Sequence, residues 1–235
     1  MGIFLIGIVF MLIGMWVSWR LKSKFKEYSQ YTIMSGMSGR EIAERMLKDH
    51  KIYDVQVMSV EGELTDHYNP ANKTVNLSTE VYHGRHAAAA AVAAHECGHA
   101  VQHATAYSML TFRSKMVPVV NVSSTILQYI NMALMFGAGY LLYNKNAGGD
   151  VLILTLIALN AVVTLFALVT LPVEFDASAR AMRWIENTRV ASSQEVALSR
   201  DALKWAALTY VVAALGALAN LAYYIMIFMG RRDDD

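Results

Sequence analysis

Apolar residues in this chain gather into four long blocks, and the charged residues are confined to the stretches between them. No Asp, Glu, Lys or Arg occurs in residues 3–19, 117–143, 151–173 or 205–229. A helix rises about 1.5 Å per residue and a bilayer core is about 30 Å thick, so each block is long enough, or nearly so, to cross a membrane. The pattern predicts transmembrane helices over 1–19, 117–143, 151–173 and 205–229. The first reads as a retained anchor rather than a cleaved signal, because positive charges follow it and no small-residue cleavage site stands before Arg20-Leu21-Lys22.

Two polar stretches remain, 20–116 and 174–204. Arg20, Lys22, Lys24 and Lys26 follow the first block, Arg113 and Lys115 precede the second, and Arg180, Arg183, Arg189, Arg200 and Lys204 lie between the third and fourth. Cations beside membrane spans mark the cytoplasmic side. The loop Asn144 to Asp150 carries one Lys and one Asp, and the tail Arg231 to Asp235 is mixed, as expected of the outer face. Both polar stretches are therefore expected inside, with both chain ends outside.

The first polar stretch reads as a small α+β domain. Ser38 is placed to cap a helix from Gly39 to about His50, with Glu41 completing a capping box and Ile42, Met46 and Leu47 forming an apolar stripe. Asp54 to Val60 alternates as a strand does. Asn69-Pro70-Ala71-Asn72 is a turn signal between Leu64–Tyr68 and Thr74–Leu77, which predicts a hairpin. Thr74–Leu77, including Asn76, is the expected edge strand, where an extended peptide could add by backbone hydrogen bonds.

After this hairpin, Ala87 to Ala94 is alanine except for Val92, a run with strong helix propensity, and it leads directly into His95-Glu96-Cys97-Gly98-His99. Residues four apart share a helix face. His95 and His99 can thus reach one tetrahedral Zn²⁺ while Glu96 lies beside the water that it activates, the H-E-x-x-H arrangement of zinc peptidases. Small neighbours let this helix lie close to others, and Gly98 leaves room for a partner helix or a substrate. A catalytic zinc site needs a third protein ligand. Thr105 and Gln102 stand where a metzincin would have His and Gly, which excludes that class. His103 lies two turns from His95, roughly 12 Å along a straight helix, too far to share one ion. A Glu on a second helix remains, and Glu174 is the best candidate, with Pro172 suited to the first turn of a new helix.

Three motifs extend beyond this core: Leu64-Thr65-Asp66-His67-Tyr68-Asn69-Pro70 leading into Thr74-Val75-Asn76-Leu77-Ser78, the run from Ala93 to His103, and Leu171-Pro172-Val173-Glu174-Phe175-Asp176-Ala177-Ser178. Together they resemble the YugP-type neutral zinc metallopeptidases of bacterial membranes, over nearly the whole chain. The resemblance implies a Glu-zincin similar to the HtpX-type and CAAX prenyl membrane proteases. His95, His99 and Glu174 would hold one Zn²⁺ per chain, and Glu96 would be the base. It implies a mainly α protein of the bacterial inner membrane, with four transmembrane helices and a small α+β zincin-like cytoplasmic metalloprotease domain. One departure stands out: those relatives place an Asp four residues after the ligand Glu to orient a ligand histidine, and this chain has Ser178 there. Asp176 faces the other side of an ideal helix. Either could be the orienting partner.

Further candidates for contacting substrate or stabilising the oxyanion are His67, Tyr82, His83 and Arg180. Cys97 is the only cysteine, which excludes an intramolecular disulfide, and it reads as a small packing residue. The hydrophobic content of 55% agrees with a membrane protein, and a net charge of +1 without a basic aromatic patch gives no sign of nucleic-acid binding. An intramembrane site-2-type protease would be expected to carry an Asp-Gly pair, which this chain lacks. A zinc transporter would need strong ligands inside its spans, where Asn121, Gln128, Asn131 and Asn160 offer only amides suited to helix packing. A zinc-binding membrane scaffold without proteolytic activity is the alternative, and the carboxylate of Glu96 argues against it. The expected partners are a peptide or membrane-protein substrate, the lipid bilayer, and a partner membrane protein or a second copy. The run Ala213 to Ala219 is suited to a close helix contact within the molecule or between copies.

Overall fold

A computed structural model describes residues 2–143 and 148–232. Most of the short loop and the acidic end of the tail, both expected at the outer face, lie outside the described residues. The chain forms two compact units.

One unit comprises Met1–Met15, Phe112–Leu171 and Tyr210–Asp235. It takes the start of α1 (Gly2–Tyr28), most of α5 (Ser108–Met135), a 3₁₀ turn (Ala138–Tyr143), the first half of α6 (Gly149–Thr188) and the second half of α7 (Ser193–Arg232). Among the described residues, Gly2–Tyr28, Gly149–Thr188 and Ser193–Arg231 are helices long and apolar enough to cross a membrane. The block 117–143, expected as a single span, is instead divided. It is shared between α5 and the 3₁₀ turn, with Gly137 at φ 120° between them. That left-handed backbone suits glycine and ends the helix. The outward apolar side chains of this unit include Leu5 (64% exposed), Val122 (61%) and Val151 (70%). Such exposure would be costly in water and costs nothing in lipid. The Ala213–Ala219 run makes close contacts inside the unit: a Cβ on Gly216 would stand 3.3 Å from the Phe10 ring, and Thr164 Oγ1 donates to the Ala217 carbonyl at 3.1 Å.

The other unit comprises Trp16–Thr111 and Pro172–Thr209. Helix α2 (Gly39–Asp49) starts with a reciprocal capping box: Ser38 N–H donates to Glu41 Oε2 at 2.7 Å, and Glu41 N–H donates to Ser38 Oγ at 3.3 Å. Strands β1 (Gln56–Val60), β2 (His67–Asn69) and β3 (Thr74–Ser78) form one sheet in the order β1-β3-β2. The hairpin pairs His67 with Asn76 and Asn69 with Thr74. Thr74–Leu77 is not the edge. Strand β1 pairs with it in parallel on its other side, so β3 is central, every one of its residues is buried, and β2 takes an edge. A hairpin fixes the partner on one side of a strand only, and the parallel neighbour joins through a crossover that local sequence does not encode.

Helix α3 (Thr79–His83) leads to α4 (Ala87–Ala104), the centre of this unit. Its core joins Ile42 and Met46 of α2, Val75 and Leu77 of β3, Val81 of α3, the alanines of α4, and Ala181 and Ile185 of α6. Because alanine projects only a methyl group, elements on several sides can pack onto α4 at close range. Helix α6 runs unbroken through Pro172, so the expected new helix does not begin there. Proline cannot donate to the Leu168 carbonyl, and a helix supported by neighbours tolerates that one missing bond.

His86 caps α4, its Nδ1 accepting from Ala89 N–H at 3.1 Å. Burial pushes this imidazole below its ordinary 6.5. The folded state therefore favours the neutral ring, the form able to accept. The unfolded chain takes up this proton first as pH falls, so the contribution of His86 is complete above pH 6.5 and is lost on acidification. We expect the unfolding temperature to drop between about pH 7 and pH 5, and to drop less in His86→Asn, which keeps a cap acceptor that does not titrate. Equal drops in the two proteins would rule out this role.

Candidate metal centre

Helices α4 and α6 meet backbone to backbone at one point. A Cβ added to Gly98 would stand 2.5 Å from the Ala177 carbonyl oxygen and 3.0 Å from its carbon, so only glycine permits this approach. The contact lies between the two histidines of α4 along the helix, and it sets Glu174 of α6 against both. Glu174 Oε2 is 3.3 Å from His95 Nε2 and 3.5 Å from His99 Nε2. One ligand atom from each of His95, His99 and Glu174 lies within 4.8 Å of the others, and all three side chains are largely buried.

The outward ring nitrogens are also engaged. His95 Nδ1 is 3.1 Å from Ser178 Oγ, and His99 Nδ1 is 3.0 Å from Gln102 Oε1. With Nδ1 held on each ring, both Nε2 atoms turn toward the carboxylate. The imidazole planes stand at 81° to one another, with centroids 4.8 Å apart.

The electrostatics of this cluster favour a cation. Burial alone would raise the Glu174 carboxyl, yet its hydrogen bonds to His95 and His99 hold it well below the usual carboxylate range. Burial alone would lower His99, but the Glu174 contact and the nearby charge of Glu96 outweigh it and raise the ring. Glu96 is itself 93% buried, being only 7% exposed, and sits one residue after the first ligand on α4. Two imidazoles and a carboxylate, with a second carboxylate beside them, form a donor set that suits Zn²⁺ in chemistry and balances a dication in charge.

The other expected site residues are dispersed. Asp176 does not touch either histidine; its Oδ2 accepts from Gln102 Nε2 at 2.9 Å and from Arg180 Nε at 2.6 Å. Arg180 is thereby committed to Asp176 and also lies over the Tyr107 ring. His67 is on edge strand β2 with Nδ1 held by the Thr65 carbonyl at 2.8 Å. Asn76 sits in central β3 and bonds Thr74 Oγ1 at 2.8 Å. Tyr82 faces Arg40 of α2 and borders His83.

Two residues near the centre escape a reading of the sequence. Gln102 is fully buried and touches His99; its signal was a polar residue three positions after His99, on the helix face that carries both histidines. Asp66, half-buried, accepts from Ser78 N–H at 2.7 Å and from Ser78 Oγ at 3.1 Å. Burial pushes its carboxyl up, and the charge of Glu96 adds to that rise. No spacing rule links Asp66 to α4, because the hairpin brings it there. Cys97 is a packing residue: its side chain is fully buried, Sγ lies 3.5 Å from the Ala43 carbonyl, and burial pushes the thiol well up.

With this geometry in view, residues 3–229 match the family described as "Putative neutral zinc metallopeptidase". The chain is also 42% identical over 223 residues to "Putative membrane protease YugP" of Bacillus subtilis (strain 168), covering 95% of each sequence. No solved structure matches it.

The glycine contact makes a prediction in which two effects have opposite signs. Helix propensity alone would make Gly98→Ala stabilising by about 1 kcal/mol. The clash with Ala177 should win, costing about 1–3 kcal/mol and separating Glu174 from the histidines. Thermal unfolding and zinc stoichiometry should both fall, and unchanged zinc binding would contradict the close approach.

Proposed function

Because the chain belongs to this zinc metallopeptidase family, we propose that it is a membrane-bound zinc endopeptidase that cleaves membrane or membrane-adjacent proteins at the cytoplasmic face. The observation that carries the reading is the convergence of His95, His99 and Glu174 with the buried Glu96 beside them. These three side chains would hold one zinc ion. A bound zinc ion would supply Lewis acidity, polarising a carbonyl and lowering the pKa of a water molecule toward about 7.

The chain's own residues do the rest. Glu96 takes the proton of the attacking water on its carboxylate and returns it to the leaving amine. Its fixed place on α4, next to His95, spares the reaction the cost of orienting a base. Ser178 and Gln102 hold the ligand rings in position. Edge strand β2 packs beside α4, with Tyr68 Oη 2.7 Å from His103 Nδ1, and can take an extended peptide by strand addition. That strand replaces β3 as the expected docking edge.

The membrane reading rests on the four uncharged blocks and on the relative's description as a membrane protease. Four spans, with α5 carrying the second, would put both ligand-bearing stretches on the side of the clustered Lys and Arg. In sequence, Glu174 directly follows the third block, which suits substrates that lie at or in the bilayer.

Zinc content and casein cleavage, measured on detergent-purified protein, test the proposal. Glu96→Gln should keep full zinc and lower cleavage by about 10²–10⁴-fold. Glu174→Ala should lose zinc and cleavage together. Equal zinc with no cleavage by wild type or Glu96→Gln would favour the zinc-binding scaffold. Undiminished zinc affinity in Glu174→Ala would overturn the ligand set.

A further inference from the structure

Gln102 lies one turn beyond His99 on α4 and is fully buried. A buried carboxamide needs its hydrogen bonds satisfied, and here each end has a partner. Nε2 is 2.7 Å from the Val173 carbonyl and 2.9 Å from Asp176 Oδ2, while Oε1 is 3.0 Å from His99 Nδ1. Chemistry fixes which end of the amide is oxygen and which is nitrogen. A backbone carbonyl can only accept. The Asp176 carboxylate, paired with Arg180 Nε at 2.6 Å, also accepts. The group facing both must therefore be NH₂.

The amide oxygen must then face His99 Nδ1, and an oxygen of this kind cannot donate. Nδ1 must carry the hydrogen. In the neutral ring, which has one N–H, Nε2 then carries the lone pair that a cation on the Glu174 side would take. Ser178 imposes no such condition on His95, since a hydroxyl can donate or accept. We infer that Gln102 is a positioning residue that locks His99 in its metal-binding tautomer, and that the Val173 carbonyl and the Asp176–Arg180 pair on α6 lock Gln102. The inference rests on the reading of His95, His99 and Glu174 as a zinc site, and goes beyond it in naming what holds one ligand ready.

The arrangement also gives Asp176 a role without contact with any ligand. Both Gln102 Nε2 and Arg180 Nε donate to the same oxygen, Oδ2. An asparagine at 176 can present that one oxygen to both donors, whereas a leucine cannot.

The test uses the full chain in detergent, with zinc affinity read by competition against a chromophoric chelator. Gln102→Leu should weaken zinc by about 10–100-fold, Asp176→Leu should weaken it less, and Asp176→Asn should restore most of the affinity. Nitrogen-15 NMR of labelled histidines in zinc-free protein, taken at a pH high enough to give neutral rings, reads the tautomer directly. His99 should carry hydrogen on Nδ1 in wild type and show mixed tautomers in Gln102→Leu, with the helical circular dichroism of both proteins unchanged. Zinc affinity within twofold of wild type in folded Gln102→Leu, or the Nε2–H tautomer in wild type, would overturn the role. A wild type that binds no zinc but shows Nδ1–H at His99, lost in Gln102→Leu, would sink the zinc reading while leaving the lock in place.

Discussion

The centre depends on how closely two helices can approach. Glu174 reaches His95 and His99 only because α6 rests its backbone on α4 at Gly98, where any side chain would meet the Ala177 carbonyl. Glutamate has three carbon–carbon bonds to extend, but a ligand distance tolerates only a few tenths of an ångström. A gap opened by one methyl group would exceed that tolerance. The alanine run serves the same end, since Ala88 to Ala91, Ala93 and Ala94 leave neighbouring elements little to pack around. The α4 sequence is thus constrained by approach distance as much as by helix propensity.

From that contact, α6 works on two flanks. At about 100° per residue, Glu174 and Ser178 lie to one side of Ala177, and Val173, Asp176 and Arg180 lie to the other. The first flank supplies the ligand carboxylate and the partner of His95. The second holds Gln102 and, through it, His99. Eight consecutive residues of one helix therefore serve both histidines from opposite sides. Rigid mounting of this kind is what a metal site on helices provides and a loop does not.

Much of the centre was legible because its rules are local. The four-residue spacing of His95 and His99, the carboxylate of Glu96 beside them and the helix that carries them follow from helical periodicity, and the Ser38–Glu41 cap follows from a three-residue pattern. Glu174 was reachable by elimination, but Pro172 suggested a helix start where α6 in fact continues, because local preference there yields to tertiary support. Strand order was not legible: a hairpin is a local event, whereas the parallel pairing of β1 with β3 joins residues about eighteen apart through the intervening strand. The orienting groups were hidden for a related reason. Helix periodicity placed Asp176 away from Glu174, and so it is, yet Gln102 extends across the interface to meet it.

Charge explains why the outer partners are an amide and a hydroxyl. Glu174 and Glu96 already place two negative charges beside the ligand nitrogens, enough to balance one dication. A further carboxylate in direct contact with either ring would add a third in a buried setting, where two like charges ~6 Å apart cost about 3 kcal/mol at an effective dielectric of ~20. Ser178 adds none, and Gln102 passes the influence of Asp176 through a neutral amide. The Asp176 charge is itself neutralised by Arg180 at 2.6 Å. The histidines are therefore oriented without becoming more strongly electron-donating, as they would be beside an anion. A cation held by such rings would keep more of its positive charge.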